Sequence, residues 1–355
     1  MLTRRQLLIG VAAVAWPARR LAARTSPLET YSTRAVDLVL SSGAIDMLGL
    51  ITADWAKLRR WGRAPEALDA SDLSAIRASG IATFHPAVNL PGRDPSGSAA
   101  RWLDRWSRFC SYHPLAFRLI RTAADLDFVS ANGPAGILLG VQNSTHFTRV
   151  EDVSGFSAIG QRVSQLTYNF TNRLGSGCYA NPDRGLTSFG AAIIEAMNRE
   201  GMLIDVSHCG HLTTLDAVHA SSQPVVATHS NCLALTPDEP RCKSDEEIRR
   251  IAASGGVIGL TAIRKFVAPQ DQASLSHLLD HFDHVTRLAG VEHVGIGSDA
   301  DLEGRQPVIA ELAHAQFLFA ITDGLLRRGY TSAEIAAILA GNFRRVLRQT
   351  LPASS

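Results

Sequence analysis

Two histidines, His208 and His229, each close a run of apolar residues, Met202 to Ser207 and Pro224 to Thr228. Neutral imidazole is the commonest side-chain ligand for a metal ion, so two rings arriving from neighbouring strands can form half of a metal site. Between them lies a short helical pattern carried by Leu212, Leu215 and Val218. Strand, helix and strand therefore follow one another, and both rings fall at strand C-termini. In a parallel α/β barrel that is the catalytic face. A lone histidine after a strand is more often a hydrogen-bonded structural residue; the repetition at the same point of two consecutive units favours ligation. Cys209 and Cys232 stand close by, but with no CxxC spacing they read as buried structural thiols. His85 and His146 also fall on the catalytic side; for His85 a further ligand and a pocket-lining residue are both open, with lining favoured.

The elements that must position these rings are legible from residue 36 onward. Eight short apolar, β-branched runs alternate with helical patterns, as a parallel sheet with covering helices requires. They are the inner part of Val36 to Leu50, then Ile81 to Val88, Gly136 to Val141, Val163 to Tyr168, Met202 to Ser207, Pro224 to Thr228, Gly256 to Thr261 and Val294 to Ser298. Helices are expected behind Ser71 and Asp72, over Phe189 to Arg199, over Ser244 to Ala253 and over Leu275 to Leu288, with a last one opened by Ser332 and Glu334. The stretch from Asn89 to Ser98 reads as a surface loop. The fold class is α/β, a single-domain TIM-like (β/α)8 barrel over residues 36–350.

The composition agrees: 355 residues, 46% hydrophobic and 19% charged, describe a globular chain with material for one large core. A formal charge of +2, with basic residues scattered, leaves no footprint for nucleic acid. Residues 1–24 read differently. Arg4 and Arg5 precede an apolar run from Leu7 to Trp16 and small residues at Ala22 and Ala23, the pattern of a Tat-type export signal. That run is too short to span a bilayer, so no stable membrane span is expected. The segment holds five arginines and no acid, so its removal takes the charge from +2 to −3. The expected location is the periplasm. Five cysteines are too few for a disulfide framework in a chain of this size.

The stretches LTYNFTNRLGSGCYANPDRGLTSFG from 166, MNREGMLIDVSHCGHLTTLDAV, THSNCLAL, PRCKSDEEIRRIAASGGVIG, GVEHVGIGSDAD and GNFRRVL occur in that order. Together they resemble the membrane (renal-type) dipeptidase family, peptidase family M19. The resemblance covers the chain after about residue 130. It implies a TIM-like barrel with zinc, cleaving dipeptides and related small amides by a metal-bound hydroxide. SHCG and THSN place His208 and His229 on the two histidine ligands of the second metal. Asp299, in GSDAD, matches the aspartate thought to shuttle a proton, and Arg241, in PRCKSD, the arginine that binds the substrate's terminal carboxylate. Tyr168 and Asn169 stand where many relatives carry a substrate-contacting histidine, so a lining role carries over. Family members often dimerise, which makes a homodimer the assembly the resemblance implies.

The departures carry as much information. The family's Asp-Gly-His-x-Asp opening supplies a histidine and an aspartate to the first metal, and here those places fall on Leu48 and Leu50. The bridging glutamate falls on Gln142, a neutral amide and a weak ligand. The first metal position is therefore expected to be empty, with one Zn2+ ion on His208 and His229, Asp299 completing a two-His, one-carboxylate set and Gln142 a weak further contact. Two readings follow: a metal-dependent hydrolase with a single ion, or a degenerate barrel that binds a small carboxylate-bearing ligand without turning it over.

Overall fold

Ten parallel strands form one sheet: β1 (Ala44–Asp46), β2 (Ile81–Phe84), β3 (Phe117–Leu119), β4 (Ala135–Ile137), β5 (Gly140–Val141), β6 (Val163–Gln165), β7 (Leu203–Asp205), β8 (Val225–Ser230), β9 (Ile258–Leu260) and β10 (Val294–Ile296). In this computed structural model residues 30–269 and 272–353 are described. The spatial order is β3-β4-β2-β1-β10-β9-β8-β7-β6-β5. β4 pairs with β2 and β5 with β6, and the two are pieces of one run interrupted at Leu138 and Leu139. That run therefore joins both ends of the order, and the sheet closes into a barrel. The carbonyl of Leu139, inside the interruption, accepts from the N–H groups of Arg162 and Val163, which seals the seam.

Counting β4 and β5 as one stave leaves eight barrel staves, with β3 outside, paired to β4. The (β/α)8 expectation holds, and β3 is the element the sequence did not announce. Every residue of β1, β2, β4 and β6 to β10 is buried, because helices cover one face and the barrel interior the other. This is why these runs read as continuous apolar stretches rather than as alternating ones.

The strand expected in the inner part of the Val36 to Leu50 run is Ala44–Asp46, and the start of the run, Val36 to Ser42, belongs to a helix, Thr33–Ser42. Ala35 and Val39, four apart, form its buried stripe, Ser32 caps its start, and Gly43 ends it at φ 67°. The expected helices are present with shifted caps: Asp69 rather than Ser71 opens Ala70–Ala78, Ser244 caps Asp245–Ala253 in a capping box with Glu247, and Thr331 pairs with Glu334. The expected loop ends early, since a helix over Pro95–Tyr112 starts on the Asp94 cap.

The core lies at the starts of the strands. Val163, Leu203, Val226 and Val257 pack there against Phe343, Val346 and Leu347 of the helix Asn342–Thr350. A Cβ on Gly295 would stand 2.3 Å from the Phe343 ring, so this contact requires glycine. With that end filled by carbon, polar chemistry is left to the other. The fold is that of the compact unit beginning at Tyr31. The expected export segment lies outside the described residues. Among the described residues no helix is long and apolar enough to cross a membrane.

Candidate metal and carboxylate site

The site begins with a carboxylate that carries no chemistry itself. Asp205 ends β7, and its Oδ1 accepts from the Ser207 amide at 2.9 Å, the Ser207 hydroxyl at 2.5 Å and the Thr228 amide at 3.0 Å. Its Oδ2 accepts from the Thr228 hydroxyl at 2.7 Å. One buried side chain thus ties the end of β7 to β8 and sets where the next residue of each, His208 and His229, must stand. β1 and β10 repeat the device. Asp46 accepts from the amides of Leu48 at 3.1 Å and Ser298 at 2.9 Å, and from the Ser298 hydroxyl at 2.5 Å, just before Asp299.

These bonds also fix the histidine tautomers. The single hydroxyl hydrogen of Thr228 goes to Asp205, so Thr228 Oγ1 accepts from His229 Nδ1–H at 2.8 Å. His208 Nδ1–H donates to Asn169 Oδ1 at 2.7 Å. Both Nδ1 atoms are therefore donors, and both Nε2 atoms present lone pairs, facing one another at 3.0 Å. Burial, reinforced by the charge of Arg241, holds both imidazoles well below their ordinary pKa, so both are neutral. Two facing lone pairs repel unless a cation lies against them. A separation of 3.0 Å is of the order that two metal–nitrogen bonds of about 2.0–2.1 Å to one ion span. A partner on each Nδ1 is also what metal-ligating histidines carry. The pair fits one divalent ion.

The rest of the expected set does not assemble around it. Among the described residues no group of three or more His, Cys, Asp or Glu side chains is placed to hold a metal. Asp299 follows β10 and is not grouped with the two imidazoles as a third metal-holding side chain. Gln142 turns its amide to the Ala87 carbonyl at 2.8 Å. Leu48 and Leu50, both buried, supply only carbon, and the loop that carries them is laced to the Asp299 loop by Asp299 N–H to Leu48 O at 2.9 Å and Leu50 N–H to Ala300 O at 3.0 Å. Leu48 and Leu50, on which the resemblance places the first metal, do not fit an ion. His85 Nδ1 bonds the Leu138 carbonyl at 2.7 Å and its ring lies near enough to His229 to act on it, whereas the His146 ring is held between the Asn143 carbonyl at 3.2 Å and Gln161 at 3.0 Å.

What the barrel does bring to the imidazole pair is Arg241. Its side chain is 1% exposed, Nη2 donates to the His229 carbonyl at 2.7 Å and Nη1 to the Ser230 hydroxyl at 3.3 Å, yet Nε–H has no partner. No ion pair among the described residues neutralises it. Tyr168 stacks on His208 at 4.3 Å between ring centroids. Asn169 and Asp299 both adopt left-handed backbone, φ 62° and 54°, a conformation Asn and Asp tolerate better than other side chains and one that recurs at functional sites. Burial pushes the Asp299 carboxyl up to about 7, against the pull of Arg241 and with a further push from Asp46.

Sequence reasoning missed the Asp205 and Asp46 anchors, although a carboxylate two residues before the strand-end turn in both halves was a usable signal. It also missed Lys243, a buried lysine. Its ammonium donates to the Cys209 carbonyl at 2.9 Å, Thr214 Oγ1 at 2.9 Å and Glu247 at 3.0 Å, tying the loop of Arg241 to the loop of His208. At the rim, Tyr179 donates to Glu239 at 2.5 Å and receives Lys265 at 3.1 Å. The five cysteines are free and buried, as expected of structural thiols.

Residues 75–354 match the sequence profile of the membrane dipeptidase family, peptidase family M19. Among curated proteins, an uncharacterized dipeptidase of Schizosaccharomyces pombe is 31% identical over 62% of this chain and 54% of its own. Dipeptidase 3 of Rattus norvegicus is 29% identical over 72% of this chain and 53% of its own. The chain thus spans about half the length of these two relatives. Among solved structures, an amidohydrolase from Pseudomonas aeruginosa superposes with a TM-score of 0.77 at 24% identity, over 89% of this chain and 98% of that one. A metallopeptidase from Rhodobacter sphaeroides, solved with a phosphinate mimic of the dipeptide L-Ala-D-Ala, gives 0.75 at 21% identity over 86% of this chain and 99% of that one. At these identities the structural likeness speaks for the fold.

Proposed function

Because the chain belongs to the membrane dipeptidase family, we propose that it is an exported hydrolase of small amides that end in a carboxylate, using one divalent ion on His208 and His229. The observation that carries the reading is Arg241: a buried cation with no anionic partner and one unsatisfied N–H beside the imidazole pair. An unsatisfied buried donor costs about 1–3 kcal/mol, a deficit that a ligand carboxylate removes. A guanidinium offers such a group two parallel hydrogen bonds.

The chain's own residues divide the work as follows. Arg241 takes the carboxylate and so fixes where the scissile amide lies. Tyr168, stacked on His208, walls one side. Asp299, with a pKa of about 7, takes a proton on its carboxylate at neutral pH and passes it to the leaving amine nitrogen. An ion held by the two imidazoles would polarise the carbonyl and lower the pKa of water beside it. Export rests on Arg4, Arg5 and the apolar run that follows them. A homodimer remains the assembly to test.

A second reading is favoured by Leu48, Leu50 and Gln142, which deprive the site of three ligands: ligand binding without turnover. A dipeptide hydrolysis screen on the zinc-loaded protein, with calorimetric titration of the same dipeptides, separates the two. Turnover lost in Arg241→Gln and after chelation supports the hydrolase. Saturable binding with no turnover in any pair supports the second reading, and neither binding nor turnover refutes both.

A further inference from the structure

The side chain of Arg241 is held at both ends. At the far end Nη2 donates to the His229 carbonyl at 2.7 Å and Nη1 to the Ser230 hydroxyl at 3.3 Å. At the near end the Arg241 carbonyl accepts from the Ser230 hydroxyl at 3.2 Å, and the Arg241 backbone N–H donates to Glu239 Oε1 at 3.2 Å. A glutamate side chain has several rotatable bonds, so one such contact does not fix it.

Tyr179 supplies the missing restraint. Its hydroxyl donates to the same Glu239 oxygen at 2.5 Å, and burial together with that carboxylate keeps the phenol protonated and hence a donor. Lys265 donates to the phenol oxygen at 3.1 Å and faces Glu239 Oε2 at 3.7 Å. Tyr179 belongs to the stretch between β6 and the helix Ser188–Arg199, which also carries Asn169. Its backbone N–H donates to the Asn169 carbonyl at 2.8 Å, and Asn169 Oδ1 receives His208 Nδ1–H at 2.7 Å. Hydrogen bonds thus run from His208 through Asn169, Tyr179 and Glu239 to Arg241, which closes the course on the His229 carbonyl. The loop that orients one imidazole and the loop that carries the arginine are joined by the Tyr179–Glu239 bond.

We propose that Tyr179 is a positioning residue: through Glu239 it sets the backbone of Arg241, and with it the place of a bound carboxylate relative to the imidazole pair. The proposal rests on the carboxylate-binding reading of Arg241 and adds the residue that prepares it. A side chain ordered before its ligand arrives loses less freedom on binding.

The test uses the zinc-loaded full chain and glycylleucine, whose dissociation constant, or KM and kcat if it is turned over, is measured beside zinc retention in a chelator competition. Tyr179→Phe and Glu239→Ala should each weaken glycylleucine about fivefold, the effect of one hydrogen bond, and the double variant no more than either, since both break the same link. Zinc retention, and kcat where there is turnover, should not change in Tyr179→Phe, whose backbone N–H still reaches Asn169. Glu239→Gln keeps an oxygen for both donors and should bind within about twofold of wild type. Zinc retention falling in step with glycylleucine affinity marks a general loosening of the site and overturns the proposal. Wild-type affinity in folded Tyr179→Phe, or losses that add in the double variant, overturn it as well; loss of binding in Arg241→Gln then leaves the carboxylate reading standing. If Tyr179→Phe does not fold, Glu239→Ala and Glu239→Gln decide, and equal affinity in the two overturns the proposal. A wild type that does not bind glycylleucine overturns both readings together.

Discussion

Replacing Asp299 by Asn tests the electrostatics of the site through stability alone. Asn tolerates the φ of 54° found there and keeps the side chain's size, so the exchange removes a titrating group with little added backbone strain. Burial raises the carboxyl from 3.8 to about 7, so the folded state holds a proton that the unfolded chain releases near pH 4. The favourable contribution is thus fully present below about pH 4 and is lost as pH rises through about 7. A shift of about three units at 1.36 kcal/mol each sets an upper limit of about 4 kcal/mol, and partial access to water reduces this to roughly 2 kcal/mol. Urea unfolding of metal-free wild type and Asp299→Asn should therefore give matching stabilities at pH 4. At pH 8.5 the variant should be more stable by about 2–4 kcal/mol. A difference that stays constant over this range, or a wild type that gains on the variant as pH rises, refutes the account of a buried carboxyl beside Asp46.

Elemental analysis by mass spectrometry should find no more than one divalent ion per chain and none in His208→Ala; two ions per chain would refute the reading of Leu48 and Leu50 as non-ligands. Lys243→Met leaves Glu247 buried without its lysine, with only His211 and the Ser244 amide beside it, and should cost about 3 kcal/mol in chemical denaturation, with much of the loss recovered in Lys243→Met/Glu247→Leu. In Gly177→Ala the new Cβ would stand 2.4 Å from the carbonyl carbon of Asn169 and 2.5 Å from its oxygen, both backbone atoms. The expected loss is about 1–3 kcal/mol, together with weaker metal retention as Asn169 moves off His208, read by denaturation and a chelator competition. Changing Arg4 and Arg5 to lysine should keep the uncleaved chain in the cytoplasm on fractionation and immunoblotting.

Periodicity and strand-end position made much of this protein legible in its sequence. A run buried on both faces is largely apolar, so β7, β8 and β10 were visible as runs, and His208, His229 and Asp299 were visible as the residues that directly follow Ser207, Thr228 and Ser298 at their ends. That Leu48, Leu50 and Gln142 carry no imidazole or carboxylate was visible too, because residue type needs no coordinates. The sequence could not reveal that the run Ala135 to Val141 serves as two strands and closes the barrel, nor that Val36 to Ser42 is helical, since short apolar runs suit either conformation until packing decides. Three further matters belonged to the tertiary structure alone. The tautomers of His208 and His229 depend on Asp205, Thr228 and Asn169, up to 39 residues away along the chain. Arg241 is set against the His229 carbonyl by the fold of a loop whose Lys243 is tied to Cys209. The raised carboxyl of Asp299 depends on burial and on Asp46, which reaches it from β1. Residue identity supplies donors and charges, whereas their directions and separations come from long-range pairing that no local pattern encodes.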